Sequence, residues 1–508
     1  MQPFMPEKTF RIYNTLARSV EPIQPIETDH LRFYACGPTV YSYAHIGNFR
    51  SFLTADLILR TAQALGWRTT YVTNITDVGH LTQDDVADAS GEDRMEKALK
   101  SSRGRQFANI WDLARFYTDE MLSDWSALNL REPDVRPRAT EHVAQQIKAI
   151  EQILAKGHAY ETERGVYFSV ASFPDYGKLS GNTLDEQLEK SVRDVLDDPG
   201  KENPRDFALW KKDPSHLMLW HSPWGWGFPG WHIECSAMSQ AYLGESFDLH
   251  TGGEDNKFPH HECEIAQAES ITEKPFVRYW IHTRFLQVEG EKMSKSQGNF
   301  YTVRELIAPE EEGGRGVNPL ALRLALISGQ YRNPLNFTFD HLKVSAMHVR
   351  RFEEASALVE DALQHETNGA DRIGGRLDAV YEKALEAMLD DLNTPAAIAA
   401  SLEGVKLIQG MGPNLNAASA RSAGDWLREI NDLLGIVRLD NAGGKSTDEE
   451  ERRSSFTREV ERLLAEREEA RAARNFERAD AIRDELDKMD VEVMDSSDGT
   501  RWRRKVKV

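Results

Sequence analysis

Residues 32–75 read RFYACGPTVYSYAHIGNFRSFLTADLILRTAQALGWRTTYVTNI. Arg32–Cys36 is short and aromatic, and Thr69–Ile75 is rich in β-branched residues, as expected of strands. Between them, Phe49–Gly66 has apolar side chains at helical spacing and stops at a glycine. This pattern predicts a strand–helix–strand unit, which builds parallel sheets with ligand sites at the carboxyl ends of the strands. The fold class is therefore predicted to be α/β.

Composition limits the class of protein. A chain of 508 residues can form two to four domains, and its fourteen Tyr and eleven Trp argue against disorder. No apolar stretch is long enough for a membrane span, and the first residues lack the core of a signal peptide. We therefore expect a cytoplasmic protein without a membrane partner. The net charge of −20 argues against indiscriminate nucleic-acid binding.

Further patterns divide the chain. Polar residues 78–107 predict an exposed excursion, and residues 158–230 contain Gly, Pro and short strands, as in an insertion. Helical periodicity dominates from Asp340 onward. We predict a Rossmann-like parallel-sheet domain over 10–338 with an insertion at about 130–230, a helical domain over 339–440, a linker over 441–454, and a small C-terminal α+β unit over 455–508.

Two short motifs indicate nucleotide chemistry. His45-Ile46-Gly47-Asn48 precedes the predicted helix, where backbone N–H groups favour anions. Lys292-Met293-Ser294-Lys295-Ser296 lies in a polar loop whose two ammonium groups could follow a leaving pyrophosphate. Alone, the first motif is an ordinary turn and the second a solvated surface. Together, in this order after candidate strands, they predict a site that holds the triphosphate of ATP.

The three cysteines leave two possibilities open. Cys36 ends the first predicted strand, and His260 and Glu264 share one face of a helix. Without a Cys-x-x-Cys pair, spacing alone favours three buried core thiols over a metal site. An odd, small number of cysteines also argues against a disulfide framework.

A family resemblance favours the metal site. The two nucleotide motifs resemble the HIGH and KMSKS motifs of class I aminoacyl-tRNA synthetases, with Asn48 at the last position of the first. Residues 33–41, 230–236 and 258–266 (FYACGPTVY, GWHIECS and FPHHECEIA) resemble the cysteinyl-tRNA synthetase family. The resemblance runs from about residue 10 to residue 505.

The resemblance implies a set of site residues. It implies catalysis by His45, Asn48, Lys292 and Lys295. It implies contacts with ATP, which carries Mg²⁺, by Gly37, Thr39, His45, Gly47, Asn48, Gly253, Asp255, Lys292, Ser294 and Lys295. It implies binding of the substrate cysteine by Cys36, Thr76 and Trp231, and of Zn²⁺ by Cys36, Cys235, His260 and Glu264. Where this chain has Cys263, the family commonly has Asn. The Cys263 thiol could compete with Glu264 for the metal, but we expect Glu264 to be the ligand.

The terminal region resembles the anticodon-binding unit of the family. The matching segments are Asn475–Asp480 and Gly499–Arg504, and they imply that Arg501, Trp502 and Arg503 contact tRNA. An indole can stack on an unpaired base, and guanidinium groups can hold phosphates. Without the resemblance, this basic tail would be a frayed, solvated terminus.

The resemblance implies ATP-dependent activation of L-cysteine and its transfer to the 3′ end of tRNA-Cys. We expect the protein to be a monomer. One alternative is a ligase that joins activated cysteine to an amino sugar, and the other is a non-catalytic, zinc-dependent RNA-binding protein. The long helical and terminal regions favour tRNA over an amino sugar. The lysine pair favours an enzyme, because binding alone needs no clamp for pyrophosphate.

Overall fold

The computed structural model describes residues 8–79, 81–83, 90–181, 201–294, 297–365, 367–437, 447–473, 475–489, 491–496 and 499–504. The chain forms two compact units, residues 1–437 and 438–508. Among the described residues, no helix is both long and apolar enough to cross a membrane.

The first part of the larger unit mixes short strands and helices. Its elements are β1 (Arg11–Asn14), β2 (Ser19–Pro22), β3 (His30–Ala35), α1 (Ile46–Ala64), β4 (Arg68–Thr73), β5 (Leu81–Gln83), β6 (Ser90–Asp93), α2 (Arg94–Lys100), α3 (Ile110–Ala127) and α4 (Val143–Ala155). The middle part contains β7 (Ala159–Glu161), β8 (Gly165–Phe168), β9 (Phe207–Lys211), β10 (Trp220–Ser222), β11 (Gly225–Pro229), α5 (Trp231–Leu243), β12 (Phe247–Gly253), α6 (His260–Thr272), β13 (Val277–Thr283), β14 (Leu286–Val288), β15 (Glu291–Lys292), α7 (Val303–Ile307), α8 (Pro319–Ile327) and β16 (Leu335–Phe337).

The remaining elements are mostly helical. The larger unit ends with α9 (Phe339–Gln364), α10 (Gly374–Leu389), α11 (Thr394–Met411) and α12 (Ala417–Leu434). The smaller unit contains α13 (Thr447–Ala472), α14 (Phe476–Lys488), β17 (Val491–Ser496) and β18 (Gly499–Arg504).

A parallel four-stranded sheet forms the centre of the larger unit. Its strand order is β13-β12-β3-β4, and each neighbouring pair is parallel. The predicted strand–helix–strand unit is present as β3, α1 and β4, which confirms the α/β fold class. The helix starts at Ile46 rather than at the predicted Phe49, because His45 and Asn48 cap it reciprocally.

A second, antiparallel sheet occupies the segment predicted as an insertion. Its order is β10-β11-β9-β8-β7, within residues 159–229. Before it, Val135 and Arg138 pair in parallel with Val72 and Ile75 at the edge of the central sheet. The antiparallel sheet therefore begins well after residue 130, the predicted start of the insertion.

The predicted exposed excursion at 78–107 is in part buried. Val78 and Met95 are fully buried, and Asp93 caps α2 by accepting hydrogen bonds from the N–H groups of Met95 and Glu96. Residues 80 and 84–89 lie outside the described part of the chain. A polar composition predicted exposure, but the few apolar residues of this segment pack inward.

The smaller unit has its own core. It consists of Val460, Leu463, Ile482, Leu486 and Val491. Helix α13 begins at Thr447, within the predicted 441–454 linker, and residues 438–446 lie outside the described part. The predicted basic tail forms β18 through Arg504 and pairs antiparallel with β17. Backbone pairing in this hairpin excludes a frayed terminus over residues 499–504.

A buried ionic cluster joins α1 to the helical part of the larger unit. Asp56 accepts hydrogen bonds from Arg60 Nε (2.7 Å) and from Nη2 of Arg323, and all three side chains are buried. Arg323 also donates to the carbonyls of Leu434 (2.8 Å) and Leu128 (3.0 Å). Burial alone would raise the pKa of Asp56, but the two arginines lower it below its usual range.

Replacing Arg323 should destabilise the larger unit strongly. Arg323→Met leaves Asp56 with one arginine and leaves buried carbonyls without donors, so we expect the free energy of unfolding to fall by about 3–5 kcal/mol. The matched control is Arg428→Met, which breaks the exposed pair with Asp425 and should cost less than about 1 kcal/mol. Urea unfolding followed by tryptophan fluorescence measures both. Equal stabilities of the two variants would contradict the importance of the cluster.

Candidate active site

Cysteine, histidine and glutamate side chains converge where the parallel strands end. Cys36 directly follows β3, Cys235 lies in the second turn of α5, and His260 and Glu264 lie in the first turns of α6. One ligand-capable atom from each of these four residues lies within 4.8 Å of the others. The structure therefore brings the four predicted zinc ligands together.

The geometry of Glu264 fits a metal ligand. Its Oε2 lies 2.8 Å from His250 Nε2, while its buried Oε1 has no hydrogen-bond partner among the described residues. His260 Nε2 is 2.9 Å from Oε1 but is not aligned for a hydrogen bond. Two buried atoms that lie this close without alignment are suited to share one cation. Two thiols, an imidazole and a carboxylate are also a donor set that zinc accepts.

The charges of the cysteines, His260 and Glu264 affect one another strongly. Cys36 lowers the pKa of Cys235 to about 6, while burial raises the pKa of Cys36, so the two thiols titrate as a pair. Burial alone would raise the pKa of Glu264, but His250 and His260 hold it at about 2. Burial would lower the pKa of His260, yet Glu264 and Cys235 raise it to about 10. The cluster thus holds Glu264 ionised, while Cys36 and His260 keep their protons more tightly than usual.

Sequence reasoning missed a group of histidines behind the four residues. His261 Nε2 lies 3.2 Å from Cys36 Sγ, and its Nδ1 lies 2.9 Å from His282 Nε2. His232 Nδ1 lies 2.9 Å from His260 Nδ1. Together with Cys36 and Glu264, His250 and His261 form a second possible ligand set. A lone histidine in an apolar strand, such as His282, resembles a core residue in sequence, so only the fold reveals this group.

Cys263 points to a different neighbour. Its Sγ lies 3.3 Å from the hydroxyl of Tyr176, and the two groups of possible metal ligands found among the described residues do not include it. Helical spacing alone could not separate it from Glu264. Glu264 lies beside Cys36, Cys235 and His260, whereas Cys263 lies beside Tyr176, so the structure favours Glu264 as the metal ligand.

The predicted substrate residues border the cysteine–histidine cluster. The Trp231 ring stacks on His260, with centroids 4.3 Å apart and an interplanar angle of 24°. Thr76 donates a hydrogen bond to Oε2 of the buried Glu234 (3.2 Å), and Asn74 donates to Thr76 Oγ1 (2.9 Å). Glu234 precedes Cys235 on α5, so Thr76 is tied to a helix that carries a possible ligand.

The first nucleotide motif caps helix α1. His45 Nδ1 accepts a hydrogen bond from the N–H of Asn48, and Asn48 Oδ1 accepts one from the N–H of His45, both at 3.1 Å. Because Nδ1 accepts, the neutral imidazole carries its proton on Nε2. A methyl group added at Gly47 would lie 3.0 Å from the His45 ring and 3.4 Å from Cε of Met293. The two motifs therefore approach each other at Gly47.

The lysine loop, residues 292–299, begins in β15 with the exposed Lys292. The N–H of Ser294 donates to Asn299 Oδ1 (2.8 Å), and Asn299 Nδ2 donates to the carbonyl of Lys292 (3.2 Å). Asn299, which sequence reasoning did not select, therefore closes the loop. Lys295 and Ser296 lie outside the described residues.

The other predicted nucleotide contacts lie at the same edge of the sheet. The N–H of Gly37 donates to Asn74 Oδ1 (2.8 Å), and a methyl group at Gly37 would lie 1.7 Å from the Asn74 carbonyl. Thr39 pairs in parallel with Thr76. This close packing excludes any larger residue at Gly37 without movement of the chain.

Gly253 is the last residue of β12, and Asp255 lies two residues beyond it. A methyl group at Gly253 would lie 2.3 Å from Asp255 Oδ1, and the N–H of Gly253 donates to Asn256 Oδ1 (2.9 Å). The backbone therefore turns tightly beside the sheet edge, where a ligand could approach it.

The predicted tRNA contacts lie in the smaller unit. Arg501, Trp502 and Arg503 are consecutive residues of β18 and pair with Met494, Val493 and Glu492 of β17. They occupy a regular hairpin rather than an unstructured tail.

Comparison with protein-family models identifies three regions. The tRNA synthetases class I (C) catalytic domain matches residues 22–347, the DALR domain matches residues 384–438, and the cysteinyl-tRNA ligase anticodon binding domain matches residues 453–503. The first match covers the parallel sheet, the cysteine–histidine cluster and both nucleotide motifs.

A solved structure shares the fold. Mycobacterium tuberculosis methionyl-tRNA synthetase, in complex with methionyl-adenylate, matches with a TM-score of 0.55 and 13% identity. The match covers 80% of this chain and 92% of that chain. At this identity the likeness shows the fold alone.

Curated relatives match over nearly the whole chain. The cysteine--tRNA ligase of Salinibacter ruber is 59% identical and covers 99% of this chain and 100% of its own length. The cysteine--tRNA ligase of Chlorobaculum tepidum is 41% identical over 98% of this chain and 99% of its own length. The cysteine--tRNA ligase of Deinococcus radiodurans is 40% identical over 98% of this chain and 97% of its own length. The chain belongs to the cysteine--tRNA ligase family of class I aminoacyl-tRNA synthetases.

Proposed function

We propose that the chain activates L-cysteine with ATP and transfers it to the 3′ end of tRNA-Cys, releasing pyrophosphate and AMP. The observation that supports this proposal is that a possible metal site and two nucleotide motifs lie within the same matched catalytic domain. A cysteine–histidine–glutamate cluster lies at the carboxyl edge of the parallel sheet, and the two nucleotide motifs meet at Gly47. We propose that the reaction takes place in the cytoplasm, where tRNA and ATP are both available, and that the chain acts as a monomer.

The nucleotide motifs supply positioning and positive charge. The Nε2–H of His45 donates to an α- or β-phosphate oxygen of ATP, and Lys292 follows the pyrophosphate as it leaves. Lys295 acts with it. Asn48 acts through His45, because its side chain fixes the backbone from which the imidazole projects. Mg²⁺ accompanies ATP and neutralises part of the phosphate charge.

Cys36, Cys235, His260 and Glu264 would hold Zn²⁺. Zinc bound there would attract the thiolate of the substrate strongly and a hydroxyl poorly. Selection of cysteine over serine needs such a device, because the two substrates have almost the same shape. Trp231 would enclose the substrate beside His260, and the hydroxyl of Thr76 would contact it.

The full-length relatives support tRNA as the acceptor. They match the helical region and the terminal unit as well as the sheet. The matched catalytic domain and anticodon-binding domain leave the amino-sugar ligase and the non-catalytic RNA-binding protein without support.

The proposed function predicts cysteine-dependent exchange of pyrophosphate into ATP. The matched control replaces cysteine with serine, and kcat/KM for serine should be lower by on the order of 10⁴-fold, since a site built around sulfur rejects the analogue that lacks it. Absence of exchange with cysteine, or equal rates for both amino acids, would refute the proposed activation step.

Glu264→Gln should weaken zinc binding. We expect a loss larger than the roughly 10- to 100-fold typical of residues that only support a ligand. Competition with a chromophoric chelator measures the affinity without any assay of activity. The matched control is Cys263→Ser on the same helix, which should keep its zinc because Cys263 contacts Tyr176. Loss of zinc in Cys263→Ser alone would move the ligand assignment to that thiol.

Trp502→Ala should impair the charging of tRNA and leave cysteine activation unchanged. Loss of one base-stacking contact should raise KM for tRNA by on the order of 10-fold. The matched control is Phe476→Ala, which removes an exposed aromatic from α14 of the same unit. An equal rise in KM for tRNA in both variants would contradict a specific role of β18.

A further inference from the structure

An ionic contact holds the segment that follows the lysine loop. Arg304, in the first turn of α7, lies with Nη2 3.1 Å from Asp124 Oδ1 and with Nε 3.3 Å from Glu120 Oε2. Both carboxylates belong to α3 and are four residues apart, so they face the same guanidinium. We call Arg304, Asp124 and Glu120 the α3–α7 ionic cluster. It is separate from the cysteine–histidine cluster and from the nucleotide motifs.

Backbone hydrogen bonds connect this segment to the first nucleotide motif. The N–H of Ile46 donates to the carbonyl of Tyr301, and the N–H of Val303 donates to the carbonyl of Ala44, both at 3.1 Å. Residues 301–303 thus pair with residues 44–46, which include His45. The α3–α7 ionic cluster therefore also fixes the position of the chain just after the lysine loop relative to His45.

Burial of the Asp124 carboxylate at this position is energetically unfavourable. Its exposure is 0 %, and neither of its carboxylate oxygens has a hydrogen-bond partner in the described part of the chain, so Arg304 interacts with it through charge alone. The Arg304 side chain is partly exposed, so only the carboxylate of the pair is buried. An ion pair of a buried carboxylate seldom adds net stability compared with apolar packing, and its best-attested use is to fix one arrangement of neighbouring elements. The charge on Asp124 is therefore better explained by a role in fixing α7 against α3 than by a contribution to stability.

We propose that Arg304 is a positioning residue for cysteine activation: by pairing with Asp124 and Glu120, it holds the end of the lysine loop in register with His45. This inference rests on the proposed function. The lysines contribute to catalysis only when they face the phosphates, so a small displacement of their loop lowers the rate of the chemical step.

The ionisation of Asp124 provides an independent check. Burial raises the pKa of Asp124 to about 7, against the opposing effect of Arg304 and with a contribution from Glu120. Tyr43, from the loop before His45, also interacts with this carboxylate. As pH falls through about 7, Asp124 becomes neutral and its pairing with Arg304 weakens. Because the pKa is raised in the folded state, the same protonation favours folding, so activity and stability should respond in opposite directions.

The first experiment measures cysteine-dependent ATP–pyrophosphate exchange by the full chain. Arg304→Gln should lower kcat by about 10- to 100-fold, with KM for cysteine and zinc content unchanged, because positioning of the loop and not substrate binding is lost. Arg304→Lys keeps the charge and should recover part of kcat. The matched control, Arg350→Gln, removes an arginine paired with Glu354 on α9 and should keep wild-type kcat. Wild-type kcat in Arg304→Gln would overturn the proposal.

The second experiment compares pH profiles. Wild-type kcat should decline below pH 7, while Asp124→Asn should have a low kcat without that decline between pH 8 and pH 6. A wild-type profile in Asp124→Asn would overturn the role of this carboxylate.

Hydrogen exchange separates this proposal from the proposed function. The amides of Ile46 and Val303 should exchange faster in Arg304→Gln than in the wild type, and those in Arg350→Gln should not change. If the wild-type chain does not exchange pyrophosphate into ATP, the proposed function fails, but the protection of these two amides still tests whether Arg304 positions the loop. Unchanged amide protection in Arg304→Gln would overturn the proposed positioning role of Arg304.

Discussion

The charge of a single buried carboxylate constrains the larger unit. Asp56 is inaccessible to solvent, and an unpaired charge at such a place costs several kcal/mol, so it must be neutralised by neighbours. Arg60 and Arg323 do this from α1 and α8, and they in turn donate to carbonyls at the end of α12 and after α3. Three other parts of the chain, in α8, at the end of α12 and after α3, are therefore held against the middle of α1.

The position of α1 has consequences at its other end. A helix is stiff, so fixing its middle also fixes His45 and the loop that precedes it. The N-terminus of α1 then lies at the carboxyl edge of the parallel sheet, where Cys36 follows β3. Gly47 packs beside Met293, and residues 301–303 pair with residues 44–46. Nucleotide motifs almost 250 residues apart in sequence thus meet because one helix cannot shift.

The sequence predicted features that depend on local pattern. The strand–helix–strand unit of residues 32–75 was readable because apolar spacing and a terminal glycine specify it without help from the rest of the chain. The four possible zinc ligands came from family resemblance, since their spacing alone favoured core thiols. The assembled site could not be read in the same way. His282 contacts His261 and Thr15 only when separate elements of the chain meet.

One prediction failed in part because composition is a weak guide to burial. Residues 78–107 are mostly polar, yet Met95 is buried and Asp93 caps a helix. In this segment, a few residues determine the structure while the majority determine the composition. A pattern average therefore hides the contacts that fix the fold.

The histidines behind the candidate metal site clarify how a selective site can be built from flexible donors. Each carboxylate or thiol ligand has more than one lone pair, so an ion alone does not fix its orientation. His250 engages Oε2 of Glu264, which leaves Oε1 facing His260, and His261 engages the sulfur of Cys36. Such supporting contacts restrict each donor to one direction before a metal arrives. If zinc binds here as proposed, discrimination between sulfur and oxygen in the substrate would depend on the chemistry of the ion, because these contacts oppose rearrangement of the protein ligands around a weaker donor.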